Sequence, residues 1–577
     1  MTMLFSLRAI KKDFGESSIL KDINLDVGIG ERIGLVGNNG AGKTTLANIV
    51  FGSLEPDKGD MIWYQQNIKI GYLLQSTFYT SNAFDTMLAN SGSKYDIRDF
   101  LEISSHLGME NVQEWDTKRF DRLSGGEKTK LALAHIWALK PNLLILDEPT
   151  NHLDFVGVQW LIEELKRYNA TILIISHDRY FLDKSVERII EIEDGIVNNY
   201  KGNYSFYRDE KRSRYESQFH KYLVQEKNKE KISRDIDNLK NWSSKAHRES
   251  RKKAREIDGK KEYFRAKAKK KDKQVKSKLK RLEKIEIEGV KRPKTEQKIN
   301  FAFDSTEKMG KRILEAKDIS KSYGNRSLFK DSSFYIKGGE RIGILGCNGC
   351  GKTTLIKIIM GEETVDSGEL FISPSAKISY LSQDVLDLDN EKTVIDTFDI
   401  TSREKGSEVR TLLANMGFDE EMIKKPVKAL SLGERTRVKI VKLILNENNM
   451  LILDEPTNHL DLHSRERLEE TLEEYPGTIL IVSHDRYMLE RICSRMLIFK
   501  DNVIQRSEYS FKEYLNKIDN ANNKKIKTEY NTKEESLVIE NRIAYILGEL
   551  SKYTPEDSEY IMLDSEFKEL IKMKRKS

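Results

Sequence analysis

The chain contains itself twice. GNNGAGKTT (Gly37–Thr45) returns as GCNGCGKTT (Gly346–Thr354), LLILDEPTNHLD (143–154) returns as MLILDEPTNHLD (450–461), and ISHDRY (175–180) returns as VSHDRY (482–487). The order is the same in both halves and the offset is 307 to 309 residues, which marks an internal duplication. A single G-x-x-x-x-G-K-[ST] is expected by chance roughly 0.03 times in a chain of this composition. Two copies at one offset therefore restrict the fold to two versions of one α/β unit, plus whatever joins and follows them.

Each copy has the context that a phosphate-binding loop requires. An apolar segment, 32–36, runs into a glycine-rich turn, and Lys43–Phe51 follows as a helix. In this arrangement the backbone N–H groups of Gly37, Asn38, Asn39, Gly40, Ala41, Gly42, Lys43, Thr44 and Thr45 cradle the phosphates of a nucleotide. Gly346, Cys347, Asn348, Gly349, Cys350, Gly351, Lys352, Thr353 and Thr354 do so in the second copy. Lys43 and Lys352 neutralise the terminal phosphate oxygens, and Thr44 and Thr353 offer hydroxyls to Mg²⁺. The short apolar runs 143–146 and 451–453 predict buried central parallel strands. At their carboxyl ends Asp147 and Asp454 suit a water-mediated hold on Mg²⁺, and Glu148 and Glu455 are placed to polarise the attacking water. The pair Cys347 and Cys350 invites a redox or zinc reading, but both fill variable positions inside the second loop.

No run of about 18 apolar residues occurs, which excludes a membrane-spanning helix, and the first residues lack the pattern of a secretory signal, so a cytoplasmic protein is expected. Three cysteines are too few for a disulfide framework or a four-thiolate cluster. The net charge is only +6, yet residues 211–290 hold 28 Lys+Arg against 13 Asp+Glu. Apolar residues in that stretch recur three or four apart, as Tyr215, Phe219, Tyr222, Ile232, Ile236, Leu239 and Trp242, and again as Phe264, Val275, Leu279, Leu282 and Ile285. The spacing predicts an antiparallel helical hairpin with a first helix over about 206–242 and a basic tip at about 243–262. Net positive charge with Trp242, Tyr263 and Phe264 near the tip suits a nucleic-acid backbone with stacking alongside; a solvated coiled coil is the plainer alternative. The domain plan is then 1–205, a linker over 206–295, 296–516, and a C-terminal helical extension over 517–577, in which Thr532 and Glu535 form a capping box.

LSGGE (123–127) and LSLGE (430–434) each precede a helical stretch. Alone they are serine N-caps with a glutamate three residues on. Between the P-loop and the DEPTNHLD strand they resemble the signature of ATP-binding cassette domains, Ser124, Gly125, Gly126 and Glu127 in the first half and Ser431, Leu432, Gly433 and Glu434 in the second. The resemblance implies further roles: Gln75 and Gln383 as Mg²⁺ ligands, His177 and His484 as switch histidines, and Phe14 and Tyr323 as adenine-stacking aromatics. Leu432 departs from the pattern, where a glycine is usual, so the two ATP sites are not expected to be equal.

Two cassettes in one chain with a long linker resemble the ABC-F family, cytoplasmic ATPases that act on the ribosome, and in particular its antibiotic-resistance subgroup. That resemblance implies that each ATP is sandwiched between the P-loop of one half and the signature of the other, within a monomer. It also implies that the linker enters the tRNA exit site toward the peptidyl-transferase centre, with large-subunit rRNA and P-site tRNA as partners and lincosamides, pleuromutilins and streptogramin A as the drugs countered. Two rivals remain open: a housekeeping factor that rescues stalled ribosomes, and the energising subunit of a membrane exporter.

Overall fold

In a computed structural model the described residues are 2–74 (apart from Glu16), 97–106, Met109, 125–253 (apart from His152), 258–292 and 312–517 (apart from 325, 383–387, 446–447 and 459). Of the C-terminal extension only Ile546, Met562, Ser565, Phe567 and Lys568 are described, each helical; the expected capping box there lies outside the described residues. The chain divides into two compact units. One holds 1–302 with 385–442 and 458–471; the other holds 303–384, 443–457 and 472–577.

In the first unit the chain runs β1 (Met3–Phe14), β2 (Ser17–Gly28), β3 (Arg32–Val36), α1 (Lys43–Phe51), β4 (Lys58–Trp63), β5 (Ile70–Leu73), α2 (Ile97–His106) and α3 (Gly125–Ala138). It continues through β6 (Leu143–Asp147), α4 (Phe155–Arg167), β7 (Thr171–Ile175), α5 (Arg179–Ser185), β8 (Arg188–Glu193) and β9 (Ile196–Lys201) to the linker helices α6 (Tyr204–Lys253) and α7 (Asp258–Glu288). Nine strands form one sheet in the order β4-β1-β2-β9-β8-β3-β7-β6-β5. β3, β7, β6 and β5 are parallel neighbours, and every residue of β6 and β7 is buried. Covered on both faces, such strands must be continuously apolar, and each buried Leu or Ile contributes roughly 1.5–3 kcal/mol.

The second repeat gives β10 (Leu314–Tyr323), β11 (Arg326–Ile336), β12 (Arg341–Leu345), α8 (Lys352–Met360), β13 (Ser367–Ile372), β14 (Ile378–Leu381), α9 (Arg403–Asn415) and α10 (Leu432–Leu445). It closes with β15 (Met450–Asp454), α11 (Leu462–Glu474), β16 (Thr478–Val482), α12 (Arg486–Ile492), β17 (Arg495–Lys500) and β18 (Val503–Ser507). Its strands order as β11-β10-β13 and β14-β15-β16-β12-β17-β18, and β15, β16 and β12 are again parallel and central.

The hairpin is antiparallel. Gln225 accepts from the backbone N–H of Val290 at 2.7 Å, Lys278 pairs with Asp235, and Ser243 donates to Asp272 at 2.7 Å, so positions rising along α6 meet positions falling along α7. Ile232, Ile236 and Val275 are buried in the seam, with Leu239, Leu282 and Ile285 against them. The first helix is longer than the apolar spacing predicts: it runs past Trp242 to Lys253, which puts most of the expected tip on regular helix. No helix among the described residues is long and apolar enough to cross a membrane.

Candidate nucleotide-binding sites

Both P-loops turn from a buried strand into a helix through glycines that nothing else could replace. Gly42, the N-cap of α1, has φ 99°, and a Cβ there would lie 2.7 Å from Ile19 and Leu20 of β2. Gly351 has φ 106° at the matching position of α8. Left-handed backbone with no room for a side chain leaves only glycine. Lys43 Nζ donates to the carbonyls of Gly37 at 2.8 Å and Asn38 at 3.0 Å, and Lys352 Nζ to those of Gly346 at 2.7 Å and Cys347 at 3.0 Å. Each ammonium is thus held over its own loop, where a bound phosphate would meet it. Burial lowers the Lys43 pKa against the opposing pull of Glu148, Asp461 and Asp147.

Beyond the loops, Thr44 Oγ1 donates to Asp147 Oδ2 at 2.9 Å and Thr353 Oγ1 to Asp454 Oδ2 at 3.3 Å. Burial raises the pKa of both aspartates. No group of three or more His, Cys, Asp or Glu among the described residues could hold a metal ion alone. One hydroxyl and one nearby carboxylate per site fit Mg²⁺, which keeps several waters and leans on substrate phosphates rather than an all-protein cage.

Glu148 and Glu455 have left-handed backbone, φ 49° in both, at a cost of about 1–2 kcal/mol for a non-glycine residue. The N–H of each is tied to the neighbouring strand, Glu148 to the Ile175 carbonyl and Glu455 to that of Val482, both at 2.8 Å. The turn carries each carboxylate toward a histidine, His177 in the first site and His484 in the second. His177 N–H donates to Glu148 Oε2 at 3.4 Å and His484 N–H to Glu455 Oε2 at 3.3 Å; the imidazole Nε2 atoms lie 3.7 Å and 3.5 Å from the Oε1 atoms. Oε1 of both glutamates is buried without a hydrogen-bond partner in the structure. Burial pushes Glu148 up to about 7, with Arg465 pulling the other way, and pushes Glu455 up to about 8, with Asp454 adding to the rise. Burial, then Lys43 and Arg465, keep His177 neutral well below the usual histidine range.

Phe14 and Tyr323 are half exposed, each 49% accessible, at the ends of β-hairpins beside the P-loops. Arg326, which pairs with Tyr323 across its hairpin, donates to the Gly349 carbonyl at 2.9 Å. Gln75, Gln383 and Ser124 lie outside the described residues, as do the side chains of Tyr263 and Phe264. Gly125, Gly126 and Glu127 open α3. In the second signature Ser431 and Glu434 close a capping box, Ser431 N–H to Glu434 Oε2 at 2.7 Å and Glu434 N–H to Ser431 Oγ at 3.3 Å. Leu432 begins α10, exposed, with Gly433 following it. Cys347 is exposed, and burial raises the Cys350 thiol pKa, the reverse of what a reactive redox thiol needs.

Two residues to which the sequence assigned no role, Asp461 at the end of the second DEPTNHLD and Arg465 beyond it, reach the first site. Asp461 Oδ2 accepts from the Asn39 N–H of the first P-loop at 3.1 Å, and Arg465 donates to the His177 carbonyl at 3.0 Å. Burial would raise the Asp461 pKa, but hydrogen bonds from Ser464 and Asn39 bring it down to about 2.

A family model described as ABC transporter matches residues 20–151 and 329–458, and a second of the same description matches 190–257. The chain is 40% identical to the ribosome protection protein VmlR of Bacillus subtilis, over 99% of this chain and 98% of that protein. It is 33% identical to the energy-dependent translational throttle protein EttA of Escherichia coli, over 86% and 92%, and 32% identical to ABC transporter F family member 5 of Arabidopsis thaliana, over 92% and 80%. Among solved structures, the archaeal ribosome recycling factor aABCE1, in complex with the stalk protein aP1, aligns with TM-score 0.58 at 20% identity over 88% of this chain and 92% of that one, a likeness of fold. Paired cassettes that each hold a P-loop, a buried aspartate–glutamate step and a histidine beside that glutamate, together with full-length kinship, make this chain an ATPase of the ABC-F family.

Proposed function

We propose that this chain binds the ribosome in an ATP-closed state, enters the tRNA exit site with its hairpin and protects the peptidyl-transferase centre from antibiotics. The observation that carries the reading is the 40% identity to a ribosome protection protein, which extends through the linker and over 98% of that relative. The hairpin's own chemistry supports it. Lys271, half-buried, has its Nζ 5.6 Å over the ring of the exposed Trp242, a cation and aromatic pair suited to a phosphate with a base beside it. Large-subunit rRNA and P-site tRNA are the expected partners, with lincosamides, pleuromutilins and streptogramin A as the drugs.

In each half the P-loop amides and Lys43 or Lys352 bind the ATP phosphates, and the signature at Ser431 or Ser124 completes the cage when the halves close. Thr44 and Asp147, and Thr353 and Asp454, would hold Mg²⁺ together with Gln75 and Gln383. The ion supplies charge neutralisation on the phosphates when bound. Glu148 and Glu455 orient the attacking water and take its proton, His177 and His484 hold those carboxylates, and Phe14 and Tyr323 stack on adenine.

Replacing Glu148 and Glu455 together by Gln should leave ATP bound and the protein locked on ribosomes; a double variant that sediments free of ribosomes in ATP sinks the reading. Similarity to the translational throttle protein favours a second reading, a housekeeping translation factor. Drug susceptibility separates the two. Shortening 243–262 to a brief turn should abolish protection and spare ribosome-free ATPase activity, whereas unchanged resistance at matched protein levels would leave the housekeeping reading standing.

A further inference from the structure

Helix α11 begins at the end of the second DEPTNHLD, yet residues 458–471 pack in the first unit. Asp461 caps it, accepting from Ser464 N–H at 2.8 Å through one oxygen while the other accepts from Asn39 of the first P-loop. Three charged side chains on its first turns then meet the first half of the chain. Arg465 donates through Nη1 to the His177 carbonyl and through Nε to the Leu460 carbonyl, each at 3.0 Å. Glu466 pairs with Arg208 and accepts from Tyr204 Oη at 3.4 Å. Glu469 pairs with Arg179, and both side chains are only 2% exposed. At the offset of 307 that relates Asp461 to Asp154, the first-half residues are Val158, Gln159 and Ile162. Of these four contact positions only the capping aspartate is repeated.

We propose that Arg465 is a positioning residue for ATP cleavage at the first site, supplied by the second half of the chain and held in place by Glu466 and Glu469. The inference rests on Glu148 being the base of that site. The His177 peptide is fixed at both ends: its N–H rests on Glu148 Oε2 and its carbonyl on Arg465. A guanidinium can serve the His177 and Leu460 carbonyls at once because its donors are arranged in a rigid fork, which a lysine cannot reproduce. Without Arg465 the His177 carbonyl loses this donor, the switch segment can turn, and the carboxylate that His177 steadies loses its fixed aim. Phosphate binding, made by the P-loop, does not depend on this contact.

The test is single-turnover acid quench of ATP bound to the purified full-length protein, with Glu455→Gln leaving only the first site active and Glu148→Gln only the second. In the Glu455→Gln protein, Arg465→Ala should slow cleavage about tenfold or more, the loss expected of a charged hydrogen bond, and leave the half-saturating ATP concentration within about twofold. Arg465→Lys should recover a minor part. In the Glu148→Gln protein the same substitutions should change nothing. Equal slowing in both backgrounds would mean that α11 is merely disrupted, and undiminished cleavage in Glu455→Gln would show that Arg465 positions nothing; either overturns the proposal. The Glu148→Gln/Glu455→Gln protein tests the underlying base assignment by itself, and cleavage surviving there would overturn that assignment and this proposal with it.

Discussion

Helices α4 and α11 follow the same twelve-residue motif, begin at the same capping aspartate and bury matching leucines, Leu161 and Leu165 in one and Leu468 and Leu472 in the other, but the positions beside these leucines are built on opposite principles. α4 buries Val158, Leu161, Ile162 and Leu165 in the core of the first cassette. α11 keeps leucines opposite Leu161 and Leu165 but puts Arg465, Glu466 and Glu469 opposite Val158, Gln159 and Ile162, and these meet their neighbours through ion pairs and carbonyl contacts. The duplication kept the motif in both halves and left the following helix free to diverge. An apolar face packs against whatever is complementary in shape, whereas a charged face accepts only partners that answer each group.

The largest way to break this contrast is Glu469→Ala, which leaves Arg179 charged and buried and should cost about 4 kcal/mol. The joint change Arg179→Met/Glu469→Leu should recover most of it, because a buried pair can be exchanged for packing at little loss. Urea midpoints decide; a single variant within 1 kcal/mol of the parent would refute a structural role for the pair.

On the other helix, Ile162→Ala should cost about 3 kcal/mol through a cavity and Ile162→Val about 1 kcal/mol. A graded loss marks packing, and an equal loss for both would contradict it.

A smaller test compares the caps. Asp154→Ala and Asp461→Ala each remove a hydrogen bond to the first turn, from Gly157 at 2.9 Å and from Ser464 at 2.8 Å, worth about 1 kcal/mol. Asp461→Ala also removes the bond that ties the Asn39 N–H to α11, so half-saturating ATP at the first site should rise about fivefold. Unaltered binding there would detach α11 from the first P-loop.

The smallest effect is in acid. Asp461 sits at about 2, below its ordinary 3.8, so its bonds are intact above about pH 4 and are lost only as pH falls through about 2. Amide exchange at Asn39 and Ser464, corrected for intrinsic rates, should stay slow down to about pH 3; release at pH 5 would contradict the depressed value.

Much of this was legible in the residues. The glycines of both P-loops announce backbone that only glycine adopts, and the apolar runs that became β6 and β15 announce strands covered on both faces. The end of α6 was not legible, because the apolar stripe stops near Trp242 while the helix continues on Lys, Arg, Glu and Ala, good helix formers with little to bury, and on the bond from Ser243 to Asp272. Nor was the left-handed turn at Glu148 and Glu455, which the N–H bond to the next strand imposes and no local residue type signals. Arg465 lay four positions past the end of the motif; laying the two halves side by side would have exposed it opposite Val158.

The length of α6 has a mechanical consequence. Fifty residues at 1.5 Å each make a shaft of about 75 Å, clamped at its root where Tyr207 donates to Glu191 at 2.7 Å and Arg208 pairs with Glu466. A tilt of about 5° at that root would sweep the far end through about 6.5 Å. The root could therefore keep every bond it makes while the distal end crosses the spacing of a nucleotide, so a helix of this length needs leverage rather than rearrangement to move its far end.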